Sequence, residues 1–230
     1  GVVVSDVDAA GAARVADEIA TAGGRAVAAT ADATSKKDLK ALVATARAEF
    51  GPVDLFCANA GAAFGTGVHA SDEQWQKSWE INVLQHVHAA QAVLPSMLAR
   101  GEGYLLLTAS AAGLLGTPGD APYSVTKHAA VGLAEWLAIT YRPRGIRVSA
   151  LCPLGVRTAL LEPGIAAGHP AALAIAAAAP LLEPEDVAEA VVHGLGKEEF
   201  LILPHESVRE SFARKAGAVD AWIDEMAVGG

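Results

Sequence analysis

The chain has 230 residues, of which 52% are apolar, and it carries a formal net charge of −9. This length is typical of one α/β domain with a full hydrophobic core, so a single domain over residues 1–230 is predicted. The negative charge and the lack of a Lys or Arg cluster argue against a nucleic-acid surface and against docking on anionic lipid. No apolar run is long enough to span a bilayer, so no membrane contact is expected.

The first half of the sequence alternates short β-rich runs with helical stretches. Strands are predicted at residues 2–4, ending at Ser5-Asp6, and at 25–30 and 53–58, with helices over 9–22 and 35–50. Ser35 is the predicted N-cap of the second helix, because its hydroxyl can accept a hydrogen bond from a free N–H of the first turn.

The second half continues the alternation. A long helix over 71–100, kinked at Pro95, precedes a strand at 104–108, and a helix over 121–142 precedes a strand at 146–151. A helix over 184–195, a strand at 200–203 and a terminal helix from Glu206 follow. This order predicts the α/β class: a doubly wound parallel sheet with helices on both faces.

Residues 159–182 interrupt the alternation, since they are rich in Ala, Leu and Pro and carry few charges. They follow a strand end, where open parallel sheets bind ligands, so we predict an apolar substrate lid; a packed helix pair is the alternative. Cys57 and Cys152 fall in strands expected to be buried, which predicts packed free thiols and a reducing, cytoplasmic setting. The seven histidines lack the spacing of metal ligands, and no metal site is predicted.

Tyr123 and Lys127 lie four residues apart at the start of a predicted helix and therefore share one helix face. An ammonium beside a phenol favours the phenolate, so we expect Lys127 to lower the pKa of Tyr123 from its ordinary value of ~10. Ser110 follows the strand at 104–108, and the turn Gly116-Thr-Pro-Gly119 leads from there to the Tyr/Lys pair. Its hydroxyl can hold a carbonyl or alkoxide oxygen against the Tyr123 hydroxyl, which indicates general acid–base chemistry.

Three further segments accompany this set: Asn59-Ala60-Gly61 after the third strand, Asn82 in the long helix, and Pro153-Leu-Gly-Val-Arg-Thr158 after the strand at 146–151. In this order the five motifs resemble the short-chain dehydrogenase/reductase family over nearly the whole chain.

The resemblance implies that Ser110, Tyr123 and Lys127 are catalytic and that Asn82 is a fourth catalytic residue, anchoring a water that relays protons to the lysine. It also implies a nicotinamide cofactor. The residues that the resemblance implies as contacts of this cofactor are Tyr123, Lys127, Asn59, Ala60, Gly61, Pro153, Val156 and Thr158. Leu154 stands where the family has glycine, so a stiffer and more apolar loop is expected there.

The adenosine end of the cofactor is assigned to Asp6, Val7, Asp32 and Ala33. A carboxylate at the end of the first strand accepts hydrogen bonds from the ribose hydroxyls and repels a 2′-phosphate, and no Arg follows Asp6 closely, so NAD is predicted rather than NADP. A helix N-cap is the alternative role for Asp6. Asp32 resembles the adenine-contacting Asp of the family, with a plain loop carboxylate as the alternative.

The sequence has no glycine-rich turn between a first strand and a first helix, where backbone N–H groups would hold the pyrophosphate. Neither Gly61–Gly65 nor Gly113–Gly119 follows a first strand and opens a helix in the required order. The first strand of this chain corresponds to the second of the family. We therefore expect an N-terminally truncated member that lacks the first strand and helix.

These patterns together predict an oxidoreductase that transfers a hydride between NAD(H) and a secondary alcohol or ketone. Apolar residues expected at the pocket favour an apolar small-molecule substrate: Ala62, Ala63, Phe64, Leu114, Leu115, Leu154, Leu160 and Leu161. Arg157 leaves a carboxylated substrate open. The alternatives are a non-catalytic nucleotide-sensing or scaffold protein and a sugar-nucleotide epimerase or dehydratase. The two long helices are apolar on more than one face, which predicts a homodimer or homotetramer.

Overall fold

The computed structural model describes residues 1–116 and 118–228, so Thr117 of the predicted turn Gly116–Gly119 lies outside the described residues. Six parallel strands occur in these ranges: β1 (Val2–Asp6), β2 (Ala26–Thr30), β3 (Leu55–Ala58), β4 (Gly103–Thr108), β5 (Ile146–Leu151) and β6 (Leu201–Ile202). All six coincide with predicted strands. β3 begins two residues later than expected, and β6 covers the two middle residues of its predicted run.

The strands form two parallel sheets. β1 pairs only with β2, whereas β3, β4, β5 and β6 form a four-stranded sheet in that order. β1 and β3 are thus edge strands, and no strand of the described ranges hydrogen-bonds across the space between the sheets. The α/β class and the parallel arrangement are confirmed, and the absence of a first strand and helix stays a prediction.

A small apolar cluster connects the two sheets. Leu39 and Leu42 of one helix pack with Ala58 of β3 and Ala89, and Val3 of β1 lies against the same cluster. Leu55 and Cys57 point to the opposite face of β3 and are exposed, so Cys57 is not the buried thiol expected. Cys152, by contrast, is fully buried after β5, and both cysteines are free thiols.

Eleven α-helices surround the strands in the described ranges: α1 (Ala9–Thr21), α2 (Lys36–Phe50), α3 (Asp72–Trp79), α4 (Gln85–Arg100), α5 (Ala112–Leu115), α6 (Ala121–Tyr141), α7 (Glu162–Ala166), α8 (Pro170–Ala178), α9 (Pro184–Gly196), α10 (Glu206–Gly217) and α11 (Val219–Val228). Ser35 caps α2, as predicted, by accepting from the Asp38 N–H at 3.2 Å. The terminal helix is two helices, α10 and α11. No helix in the described ranges has the length and apolar character that crossing a membrane requires.

The long helix predicted over 71–100 is interrupted at residues 80–84, where the backbone forms a π-turn between α3 and α4. The N–H of Gln85 bonds to the carbonyl of Glu80, five residues back, which is the spacing of a π-helix. Pro95 lies inside α4 and does not end it. The interruption therefore falls at Asn82, one of the predicted catalytic residues.

The main core lies between the larger sheet and the two helices α4 and α6. Met97, Leu105, Ile146 and Ala130 are fully buried there, with 0% exposed surface. Small residues on α6, such as Ala130 and Ala134, let this helix approach the sheet closely. This packing fixes the start of α6 beside the carboxyl ends of β4 and β5, where the predicted catalytic side chains lie.

Residues 159–182 form two short helices, α7 and α8, that pack against each other, which matches the alternative of a helix pair. Ala171 and Ala172 at the start of α8 are buried. Backbone hydrogen bonds join the end of this segment to the loop after β5, from Leu182 N–H to Gly155 O at 3.1 Å and from Arg157 N–H to Leu182 O at 2.9 Å. Its action as a lid stays a prediction.

Candidate active site

The structure brings Ser110, Tyr123 and Lys127 together at the carboxyl ends of β4 and β5. The hydroxyls of Ser110 and Tyr123 share a hydrogen bond. The Ser110 hydroxyl also accepts from the Ala112 N–H at 3.1 Å, which fixes its rotamer. The Lys127 ammonium lies 5.5 Å from the centroid of the Tyr123 ring, on the same side of α6. The pairing expected from the four-residue spacing is therefore present.

Lys127 is 2% exposed, and its Nζ donates to the Thr108 carbonyl at 3.0 Å. Burial penalises the charged amine and lowers the pKa of Lys127 to about 8. The residue is thus still mostly protonated at neutral pH, within a dry environment. A buried ammonium held by one carbonyl can donate its remaining N–H groups to a ligand placed beside it.

The expected depression of the Tyr123 pKa is wrong for this structure. Burial of the phenol raises the pKa of Tyr123 above its ordinary value, and the hydrogen bond with Ser110 only opposes part of that rise. Desolvation dominates because the phenolate would be taken out of water, while the Lys127 ammonium is directed to Thr108. Tyr123 is therefore a protonated phenol at neutral pH.

Thr108, the last residue of β4, connects two predicted site residues and was missed by the sequence reasoning. Its carbonyl accepts from Lys127, and its hydroxyl donates to Asn59 Oδ1 at 2.8 Å. Asn59, Ala60 and Gly61 are exposed along the loop that follows β3. A Cβ atom built on Gly61 would lie 3.3 Å from Lys127 Nζ, so this loop passes directly over that lysine.

Asn82 is fully buried in the π-turn, and its side-chain amide binds the backbone of the same loop. Its Oδ1 accepts from the Ala62 N–H at 2.9 Å, and its Nδ2 donates to the Ala62 carbonyl at 2.9 Å and to Thr126 Oγ1 at 3.1 Å. These bonds use both ends of the amide to hold the loop, and the water-anchoring role that the resemblance implies stays a prediction.

Asp120 is a second residue that the sequence reasoning missed. Its buried carboxylate caps α6 by accepting from the Tyr123 N–H at 2.9 Å. The other oxygen accepts from the N–H groups of Phe64 at 2.9 Å and Gly65 at 2.6 Å. One side chain therefore fixes Tyr123 and the loop after β3 relative to each other. A cap signal was readable at Asp120, but its partners 55 and 56 residues away were not.

The loop after β5 carries Pro153, Val156 and Thr158 along the same rim. The Pro153 carbonyl accepts from the Ala111 N–H at 2.8 Å and from the Ser110 hydroxyl at 3.4 Å. Val156 forms an isolated parallel bridge with Leu182, and the Thr158 hydroxyl donates to the Val156 carbonyl at 3.4 Å. The loop is thereby hydrogen-bonded to Ser110.

Leu154 packs against the main core, so it does not make the inward face of the loop more apolar as expected. Its N–H donates to the Nδ1 atom of His205 at 3.2 Å. Leu114 is likewise 4% exposed and belongs to the core, whereas Leu160 is 49% exposed. The pocket lining predicted from sequence is therefore only partly accessible.

At the far side, the carboxylate of Asp6 ends β1 and accepts from the Asp8 N–H at 2.9 Å. Asp8, not Asp6, is the N-cap of α1 and accepts from the Ala10 N–H at 3.1 Å. Asp32, next to Ala33 in the loop after β2, accepts from both the N–H and the hydroxyl of Thr34 at 2.8 Å. Asp6 and Val7 are exposed at the end of β1, as a ribose-binding position requires.

These residues fit the nicotinamide–ribose end of a dinucleotide. Gly61 packs closely against the Lys127 ammonium, and the opposite, exposed surface of the loop is open to a ligand. Donors and acceptors suited to ribose hydroxyls and to a carbonyl oxygen meet there, from Lys127, Tyr123 and Ser110.

A comparison with protein families identifies this arrangement. The family model described as short chain dehydrogenase matches residues 1–166. The chain belongs to the short-chain dehydrogenase family. The predictions from sequence that the chain is a family member, has an α/β fold and is an oxidoreductase are thereby confirmed.

Among curated relatives, the 1-deoxy-11-beta-hydroxypentalenate dehydrogenase of Streptomyces exfoliatus is 33% identical over 213 residues, covering 91% of this chain and 75% of that protein. The cyclohexanol dehydrogenase of Acinetobacter sp. (strain SE19) is 33% identical over 196 residues, covering 83% of this chain and 75% of that protein. A short-chain dehydrogenase/reductase from Burkholderia phymatum, solved in complex with NAD, superposes with a TM-score of 0.85 at 27% identity. That superposition covers 95% of this chain and 85% of the other.

Proposed function

We propose that this short-chain dehydrogenase interconverts an apolar secondary alcohol and its ketone, using NAD(H). The observation that carries the proposal is the contact of the Ser110 and Tyr123 hydroxyls beside a buried Lys127 ammonium. When bound, the nicotinamide would supply or accept the hydride. The side chains of this chain supply the proton and hold the substrate oxygen.

Tyr123 is the proton-exchanging group in this proposal. Burial keeps its phenol protonated at neutral pH, which suits donation of a proton to a carbonyl oxygen during reduction. Ser110 shares a hydrogen bond with that phenol and can donate to the same substrate oxygen. Lys127 lies one helical turn further on, and its ammonium stabilises negative charge that develops on the phenol oxygen when the proton leaves.

An apolar reacting end of the substrate is favoured because the cationic and imidazole side chains near the site already have partners in the chain. Arg157, which the sequence left open as a carboxylate partner, forms an ion pair with Glu183 at 3.0 Å. Lys127 donates to Thr108, and the His169 ring shares a hydrogen bond with the Gly65 carbonyl at 2.9 Å. The similarity to a cyclohexanol dehydrogenase supports an apolar alcohol.

NAD is proposed over NADP because of Asp6. Its carboxylate is exposed at the end of β1, with one oxygen accepting from Asp8 N–H and the other available to ribose hydroxyls. A 2′-phosphate placed there would meet like charge. The complex of a similar fold with NAD supports this choice.

A homodimer is proposed through the outer face of α6. Val125, Trp136 and Ile139 are exposed there, and their spacing of eleven and three residues keeps them on one side of the helix. Trp79, at the end of α3, is exposed as well. Large apolar side chains grouped on one helix face are typical of a protein–protein contact.

The test is turnover of a panel of secondary alcohols and ketones with NAD(H) and with NADP(H), followed by the absorbance of the reduced cofactor. We expect Tyr123→Phe to abolish turnover while dinucleotide binding, measured by calorimetry, is retained. Tyr141→Phe, a phenol lost from the far end of the same helix, is the matched control and should leave turnover intact. Undiminished turnover in Tyr123→Phe would refute the assignment.

A further inference from the structure

Gln85 is a buried amide next to the catalytic asparagine and has no role in the chemistry described above. It is the first residue of α4, directly after the π-turn, and is 2% exposed. Its Nε2 donates to the Ala60 carbonyl at 2.9 Å. Ala60 lies in the loop Asn59–Ala62, which is exposed at residues 59–61 and passes over Lys127.

The orientation of this amide is set by a second contact. Nε2 of Gln85 lies 3.2 Å from both ring nitrogens of His86. Burial lowers the pKa of His86 to about 3, so the ring is neutral and one of its nitrogens can accept. A carboxamide oxygen in the place of Nε2 would face the Ala60 carbonyl, so only the NH₂ group satisfies both neighbours.

Gln85 and Asn82 hold the same loop on either side of Gly61. Asn82 binds both backbone groups of Ala62, and Gln85 binds the carbonyl of Ala60. Gly61 between them approaches Lys127 Nζ more closely than a side chain would allow without displacement. The position of the loop above the ammonium is therefore set by two amides three residues apart, Asn82 in the π-turn and Gln85 at the start of α4.

We propose that Gln85 is a positioning residue for the dinucleotide, because it fixes the loop Asn59–Ala62, whose exposed surface beside Lys127 would contact the nicotinamide ribose. The inference rests on the proposed dinucleotide-dependent function. The residue acts through Ala60 and touches no reacting atom, so its loss raises the dissociation constant of the cofactor more than it lowers kcat.

The experiment compares Gln85→Met with Gln91→Met in the full chain. Methionine has nearly the length of glutamine and no donor, and Gln91 is exposed on the same helix. Gln85→Asn, which keeps the amide but is one methylene shorter, is the second variant if the methionine does not fold. Hydrogen–deuterium exchange of the peptide 59–64, measured without cofactor, reports on the loop alone. Calorimetry with NAD, and KM against kcat, report on the cofactor.

For Gln85→Met we expect faster exchange at 59–64 and a roughly tenfold weaker NAD affinity, while kcat changes by less than about threefold. Gln91→Met should behave like the wild type. Unchanged exchange, or faster exchange with unchanged NAD affinity, overturns the proposal. If the wild type itself binds neither NAD nor NADP, the proposed function fails. Exchange at 59–64 then still decides whether Gln85 holds the loop.

Discussion

Burial of Lys127 should destabilise the folded chain by an amount that depends on pH. Its pKa falls from 10.5 to about 8, which corresponds to about 3 kcal/mol of unfavourable burial of the charged amine. Below the folded-state pKa the penalty is present in full, because the amine is charged in both states. Between about 8 and 10.5 the unfolded chain binds more protons than the folded one, so stability rises with pH in that window.

Lys127→Met removes this group, and its free energy of unfolding should exceed that of the wild type near pH 7 although activity is lost. The difference in free energy of unfolding between the variant and the wild type should decrease by about 2 kcal/mol from pH 7 to pH 9.5, because at the higher pH the wild-type amine loses its proton on folding. Urea denaturation of both proteins at the two pH values measures this. Lys40→Met, on the exposed side of α2, is the control. A difference in unfolding free energy that does not change with pH would show that Lys127 is not desolvated as described.

Three further substitutions have expected outcomes, two at the candidate site and one on the outer face of α6. Asp6→Ser should lower the preference for NAD over NADP by at least about tenfold in kcat/KM, whereas Asp17→Ser, which removes the same charge from the exposed side of α1, should not. Asp120→Ala removes three backbone hydrogen bonds, so thermal and urea unfolding should show a free energy of unfolding lower by about 2 to 3 kcal/mol, and kcat should fall as well. The control Asp72→Ala, in the exposed first turn of α3, should lower the free energy of unfolding by less than about 1 kcal/mol. Trp136→Glu should convert a dimer to a monomer in sedimentation analysis, and an unchanged mass would remove α6 as the interface.

The sequence alone was sufficient for the strands, most helices and the family. Alternating apolar runs predicted each of the six strands, since the side-chain period of a strand is a local property. The four-residue spacing of Tyr123 and Lys127 likewise placed both on one face of α6, because helix geometry depends only on nearby residues. The motif order then indicated the family that the comparison confirmed.

Only the tertiary structure revealed which distant groups hold the site in place. Asp120 and Gln85 bind the loop after β3 from 25 to 56 residues away, and no local pattern encodes such partners. The π-turn at Asn82, the two separate sheets and the exposure of Cys57 also depend on packing between elements. The pKa of Tyr123 is the clearest case, because the sequence supplied the charge of Lys127 but not the burial that outweighs it.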